Sequence, residues 1–384
     1  LPPGPKPLPV IGNITNLTAQ ELWLRASEWA KSYGDVVYLH VFGQGLVFLN
    51  DYDTAVDLLE KRGAIYSDKP GLIMAGDLCV AFARYGDKSR RQRRLMQQAL
   101  GVNSIRAYQP LLEVETQDLL KRLLRDPEDY VGNLRCYAGG LTLNTLYGYH
   151  ASANDDRFLT LADECVDILS NRIASGGGIW PTITALSHFI LAMVQHPEVL
   201  AKAQDEIDRV IDPGRLPTFA DRPSLPYIEC VMSEVLRWGV PVPLSLPHRL
   251  MEDDVYNGMH IPKGSLVFGN VWNMVRNPTL FPDPDAFVPE RYLAPADEAA
   301  ARRRDPRNYV FGFGRRRCPG MHLIEQSLWI VMASMVATLD IVKARDAAGC
   351  EVEPEVQFDN AVFRTPRPFR CDIRPRSKQA LRIV

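Results

Sequence analysis

The chain has 384 residues, 46% hydrophobic and 23% charged, the proportions of an ordinary globular protein with a sizeable core, which excludes a small disulfide scaffold. Lys and Arg number 44 against 46 Asp and Glu, so the net charge of −2 excludes the global basic field that nucleic-acid binding draws on, and no stretch approaches the ~20 apolar residues of a membrane span. The seven cysteines are scattered and form no C-x-x-C pair, which argues against a zinc site or a disulfide framework and for a reducing compartment.

In chain order, the proline-rich opening from Leu1 to Pro9 reads as a rigid, extended spacer, since proline lacks an amide hydrogen and restricts its predecessor. A short amphipathic helix is expected from Glu21 to Tyr33. Two β-rich runs follow, Val36 to Val41 and Leu46 to Asn50, around the hairpin signal Phe42-Gly43-Gln44-Gly45. Apolar residues at helical spacing then predict helices over 54–62, 88–100, 111–124, 158–173, 183–195, 197–211, 226–238 and 321–339. A second β-rich patch surrounds His260 to Gly264, with 266–269 after it. No repeat or linker divides the chain, so the expected architecture is one mainly α domain, residues 1–384, with a minor β-sheet.

The most informative segment is Phe311-Gly312-Phe313-Gly314-Arg315-Arg316-Arg317-Cys318-Pro319-Gly320, running directly into the helix predicted from Met321. Glycines permit a tight turn, and Cys318 then stands just before a helix N-terminus, where free amides and the helix dipole lower a thiol's pKa. Pro319 in the first turn sacrifices no hydrogen bond. The residues alone leave Cys318 open as a nucleophile, a redox thiol or a metal ligand. Glu234 and Arg237, three apart on a predicted helix, share a face and can pair.

The pattern F-x-x-G-x-R-x-C-x-G, matched at Phe311, Gly314, Arg316, Cys318 and Gly320, resembles the haem-binding signature of the cytochrome P450 superfamily. The resemblance covers most of the chain and implies a P450-like fold, with Cys318 as axial thiolate ligand of a haem b iron and Phe311, Gly314 and Gly320 shaping the loop. It further implies that Glu234, Arg237 and Arg291 (in Pro289-Glu290-Arg291-Tyr292) form a structural ion triad, and that Arg93, His248 and Arg316 hold the haem propionates. Ser89 stands where the family commonly has a tryptophan at this site. Val242, Leu244 and Leu246, in a proline-held extended segment, are the implied substrate contacts and offer only hydrocarbon.

One departure is plain. The acid and threonine that the family carries in the middle of its oxygen-binding helix fall on Trp180 and Pro181, and neither handles a proton. The resemblance therefore implies a segment of several tens of residues between Pro181 and Thr182, a shorter one between Cys79 and Val80, and an N-terminal membrane anchor ahead of the proline-rich start. The expected function is a haem-thiolate monooxygenase of the membrane-anchored eukaryotic, fungal type. It would oxygenate an apolar organic substrate with electrons from a separate NADPH-cytochrome reductase, at the cytoplasmic face of the endoplasmic reticulum membrane. A peroxide-using or isomerising enzyme of the same fold, and a non-catalytic haem sensor, are the alternatives. Seven arginines between Arg302 and Arg317 are expected to form a positive surface beside the thiolate for an acidic reductase.

Overall fold

A computed structural model of the protein describes residues 1–18, 20–71, 80–151, 153–167, 180–294, 296–360 and 362–384. Its helices of eleven or more residues are α1 (Leu22–Tyr33), α2 (Asp87–Leu100), α3 (Gln109–Arg125), α4 (Tyr130–Tyr147), α5 (Arg157–Asp167), α6 (Trp180–Gln195), α7 (Pro197–Val210), α8 (Pro226–Gly239) and α9 (Met321–Thr338). The strands are β1 (Val36–Val41), β2 (Gln44–Leu49), β3 (His248–Arg249), β4 (Asp254–Tyr256), β5 (Met259–Ile261), β6 (Leu266–Gly269), β7 (Leu339–Lys343), β8 (Phe358–Asn360), β9 (Arg364–Pro366) and β10 (Cys371–Pro375). The mainly α reading with a minor sheet holds.

Most helices lie where apolar periodicity put them, and α4 is the exception. It carries Gly132, Gly139 and Gly140, and its middle, from Asn133 to Leu141, is buried on nearly every side, so no apolar stripe marks it. The single helix expected over 54–62 is instead a helical turn, Tyr52–Ala55, widening into a π-type turn over Val56–Lys61 before a second short turn, Gly63–Tyr66. α6 begins at Trp180 and runs through Pro181 and Thr182, so Pro181 occupies the first turn, where its missing amide hydrogen has no intrahelical partner to lose.

α3, α4, α6, α7, α8 and α9 bury their apolar faces against one another in the largest core, around Phe189, Met232 and Trp329. The main sheet runs β1-β2-β6-β3, with β2 and β6 parallel and Val47 opposite Val267. Its two faces seed separate cores, one around Tyr66, Phe281 and Phe313, the other around Trp29 and Phe48. The proline-rich start is stitched to β1: the Tyr38 amide donates to the Pro3 carbonyl (3.0 Å), and the Asn13 amide to the His40 carbonyl (2.6 Å).

Candidate functional site

α9 opens directly after Cys318-Pro319-Gly320, with Gly320 as its N-cap. The Cys318 amide donates to the Phe311 carbonyl (2.8 Å), closing the loop on itself. Gly314 has φ +53°, and a Cβ there would stand 2.2 Å from the Leu59 carbonyl oxygen, in the π-type turn. Only glycine fits. Phe313 is fully buried in the sheet-side core, which fixes the loop from below, while Phe311 is half-buried. Gly320 has ordinary dihedrals and 3.9 Å of clearance to Ile324, so nothing among the described residues demands glycine there.

Cys318 is a free, half-buried thiol. Its position before α9 predicted a lowered pKa, and the structure corrects this. Burial pushes the thiol up, outweighing the Gly320 amide and the Arg93 and Arg317 guanidiniums that pull it down. Burial is the largest of these influences and opposes the charge that the helix N-terminus favours; a metal cation on the sulfur would deprotonate a coordinating thiol outright.

Around this loop four bases converge. Arg93 on α2 donates to the Arg317 carbonyl, and Arg316, nearly buried, donates to the carbonyls of Ala83 (2.9 Å), Ala81 (3.0 Å) and Val80 (3.1 Å). His248 on β3 is buried, its Nδ1 2.7 Å from the Tyr66 carbonyl, so that nitrogen carries the proton and Nε2 is left as the free ring nitrogen. The fourth base is Lys69, which sequence reasoning missed: it is buried and donates to the Leu246 carbonyl (2.8 Å).

These groups repel one another. Burial, then Arg316 and Arg93, push Lys69 well below its ordinary value, and burial followed by Lys69 pushes His248 well down. Burial and Arg93 together bring Arg316 to about 10. Asp68, a carboxylate that acts on Arg316, also binds Arg249 Nε (2.9 Å) and the Tyr85 amide (2.7 Å). Buried cations with no carboxylate of their own are costly unless an anion joins them. The donor set therefore fits a dianion carrying a metal that takes a soft sulfur ligand. Ser89, at the family's tryptophan position, is buried and caps α2 through the Gly86 amide and carbonyl (3.2 and 3.1 Å).

Glu234, Arg237 and Arg291 do meet. Arg237 Nε and Nη2 donate to the two Glu234 carboxylate oxygens (2.8 and 2.7 Å), and Arg291 Nε reaches Glu234 Oε1 (3.1 Å). Arg237 also donates to the Pro284 and Ala286 carbonyls (2.7 and 2.9 Å), and the Val288 amide to Glu234 (2.8 Å), so the fully buried pair pins the 284–291 stretch onto α8.

Of the three expected substrate contacts, Val242 and Leu246 are half-buried on the extended segment after α8. Leu244 is half-buried as well, packs against the Trp29 and Phe48 core and bridges to Asn270. The arginine surface is also smaller than expected. Arg303 pairs with Asp53 (2.9 Å), Arg302 approaches Glu60 (3.6 Å), and Arg307 is held by Asp305, Glu229 and Glu325. The implied gap between Cys79 and Val80 borders residues 72–79, outside the described residues.

Comparison with known proteins matches this arrangement to one family. The cytochrome P450 family model matches residues 2–173 and 172–354. A P450 monooxygenase from Ampulloclitocybe clavipes, claT, is 35% identical over 460 positions, covering 98% of this chain and 91% of that protein. P450 monooxygenase 136 of Postia placenta is 35% identical, covering 100% of this chain and 90% of its own length. A zebrafish cytochrome P450 structure, with abiraterone, shares the fold at a TM-score of 0.76, with 19% identity over 92% of this chain and all of that one. An alignment of 460 positions to a chain of 384 residues leaves the relative with dozens of positions that have no counterpart here. A half-buried thiol at the mouth of α9, a cluster of bases around it and an ion triad behind it are thus what this sequence makes of a shared plan, and the chain belongs to the cytochrome P450 family of monooxygenases.

Proposed function

We propose that the protein is a haem-thiolate monooxygenase that inserts one atom of O₂ into an apolar organic substrate, with electrons from a separate NADPH-dependent reductase. The observation that carries this reading is the coincidence of the free Cys318 with the bases Arg93, His248, Arg316 and Lys69. Haem b, when bound, supplies the oxygen chemistry, and thiolate donation favours O–O cleavage.

The chain's own residues bind and orient. Cys318 would offer its sulfur from a loop fixed by Gly314 and Phe313, and Arg93, His248, Arg316 and Lys69 would hold the propionates, the guanidiniums through charge-assisted hydrogen bonds. Glu234, Arg237 and Arg291 hold the 284–291 stretch on α8. Val242 and Leu246 present hydrocarbon, which suits an apolar substrate and excludes water.

The test is spectroscopic. Reduced protein under carbon monoxide should show the red-shifted Soret band of thiolate-ligated haem, and Cys318→Ser should abolish it. Retention of that band in Cys318→Ser overturns the ligand assignment.

A second reading rests on Trp180 and Pro181 standing at the acid and threonine positions: a peroxide-using or isomerising enzyme needs neither. Product formed with hydroperoxide, but not with reductase and NADPH, would favour it; reductase-driven turnover eliminates both it and the non-catalytic sensor. We propose further that the relatives' additional positions belong between Pro181 and Thr182, as the roof of the substrate cavity. The family match divides at residues 172–173, a short way upstream of that junction. Transcript sequence across the Pro181 and Thr182 codons tests it. Anchoring of the full-length protein in the endoplasmic reticulum membrane, facing the cytoplasm, is proposed from the resemblance to membrane-anchored fungal members. No helix among the described residues is long and apolar enough to cross a membrane.

A further inference from the structure

We propose that Arg307 and Glu325 are positioning residues for the Cys318 sulfur: with Glu229 and Arg222 they form an ionic ring that braces the two ends of the cysteine loop against each other and against α8. The inference rests on the haem-thiolate reading above and deepens it. The loop is closed by the bond from the Cys318 amide to the Phe311 carbonyl, but its ends belong to two separate elements. The helical turn Arg307–Val310 leads in, and α9 leads out. Whatever holds that turn at a fixed distance from α9 decides how freely the sulfur shifts.

The ring supplies that hold. Arg307 Nη1 donates to Glu229 Oε1 on α8 (2.5 Å) and to Glu325 Oε1 on α9 (3.3 Å), while its Nε is kept in line by Asp305 (2.7 Å). Glu325 lies about two turns beyond Cys318 along the helix that the thiol precedes. Arg222, from the turn Arg222–Ser224 before α8, closes the circuit, with Nε on Glu229 Oε2 (3.0 Å) and Nη2 on Glu325 Oε1 (2.8 Å). Its guanidinium carbon is 5.5 Å from the ring centre of Trp329, a fully buried residue of α9. Each glutamate is thus shared by both arginines, an arrangement that the planar guanidinium fork allows.

A second contact carries the hold to the thiol. Arg317, the residue before Cys318, donates through Nη2 to the Arg307 carbonyl (2.9 Å) and to the Asn308 side-chain oxygen (3.0 Å). The turn that the ring fixes therefore also fixes the chain on the N-terminal side of the sulfur. Isolated surface ion pairs contribute little, but these four side chains are only 21–29% exposed and restrain one another as a network. The ring shares no residue with Glu234, Arg237 and Arg291, which pin the 284–291 stretch to the same helix.

The experiment uses the haem-loaded full chain, reduced and under carbon monoxide. The share of the unshifted Soret band, from haem that has lost its thiolate, against the red-shifted one measures how well the sulfur is held, and thermal unfolding of the same samples reports stability. Glu325→Gln keeps the size of the side chain and removes its charge, and Arg307→Met removes the guanidinium. Arg376→Met is the control, since it breaks a pair with Asp208 (3.0 Å) at the far end of α9, where the Arg376 amide donates to the Thr338 carbonyl. At a temperature where all the proteins are folded, each ring variant should raise the unshifted share by about threefold or more, which corresponds to an ion-pair contribution of about 0.6 kcal/mol. The double variant should add little to either single change, because both open one ring. Arg376→Met should lower Tm and leave the share at the wild-type level. Should Arg307→Met fail to load haem, Glu325→Gln decides alone. Ring variants that lower Tm while keeping the wild-type share overturn the proposal and leave the haem-thiolate reading intact. Wild-type protein that loads haem without the red-shifted band overturns that reading instead.

Discussion

At the scale of single residues, the chemistry of the site is written in a ten-residue loop, and its electrostatics are not. Cys318, Gly314 and Arg316 stand out because their spacing is local. Lys69 did not, since a lysine between Asp68 and Pro70 looks like a solvated turn until β3 and α2 close over it. The thiol was misjudged for the same reason: a helix N-terminus is visible in sequence, whereas the burial that outweighs it is a property of the assembled fold. Glu234 shows what such burial implies for mutation. Glu234→Ala leaves Arg237 buried without its carboxylate and should destabilise by roughly 3–5 kcal/mol, read as a loss of soluble, haem-loaded protein. Well-folded, haem-replete Glu234→Ala without turnover would instead make Glu234 catalytic. Gly314→Ala meets both a positive φ and the Leu59 carbonyl, and should cost at least about 1–3 kcal/mol by denaturant titration.

At the scale of elements, α4 was the helix that sequence did not mark. α7 announces itself through a polar face and α8 through spaced apolar residues, each with a proline in the first turn, while α4 has neither. Its glycines then respond to substitution according to what surrounds them. A Cβ on Gly140 would make ordinary contacts, at 3.6 Å from Ala151 Cβ, so Gly140→Ala should stabilise the protein by about 0.5–1 kcal/mol through helix propensity, measurable as a higher Tm. Gly239, at the end of α8, is the opposite case. A Cβ there would stand 2.7 Å from the buried His188 ring, so Gly239→Ala should lower Tm and displace the segment bearing Val242 and Leu246. Alternation along the extended segment after α8 identifies a shared side, but that Leu244 also packs on the Trp29 and Phe48 core depends on where the sheet lies.

At the scale of the whole molecule, His188 reports on acid stability. It is fully buried between the Thr184 carbonyl (2.7 Å) and the Arg364 guanidinium (3.1 Å), and burial, then Arg364, brings its pKa from 6.5 to about 3. The unfolded chain binds a proton below pH 6.5 that the folded chain refuses until about pH 3, so stability falls as pH drops through that window, by up to about 1.4 kcal/mol per pH unit. His188→Phe should flatten that fall in urea titrations at pH 6.5, 5.5 and 4.5. An unchanged slope would place the acid sensitivity elsewhere. The mainly α reading was accessible from periodicity, whereas sheet order was not, because β2 pairs in parallel with β6, a strand far away in sequence.

That parallel pairing sets a timetable for synthesis. β1 and β2 leave the ribosome early, but their sheet stays open on one side until β6 arrives, with Asn50 and Asn270, 220 residues apart, clasping side chains at its end (2.8 Å). At typical elongation rates of about 5–20 residues per second, the hairpin waits on the order of 10–40 s for its neighbour, one apolar edge unpaired. The proline-rich start, stitched along β1, closes the other edge from the outset. The segment that reads as a spacer in sequence thus guards half of a nascent sheet against pairing with a stranger while the rest of the chain is still being made.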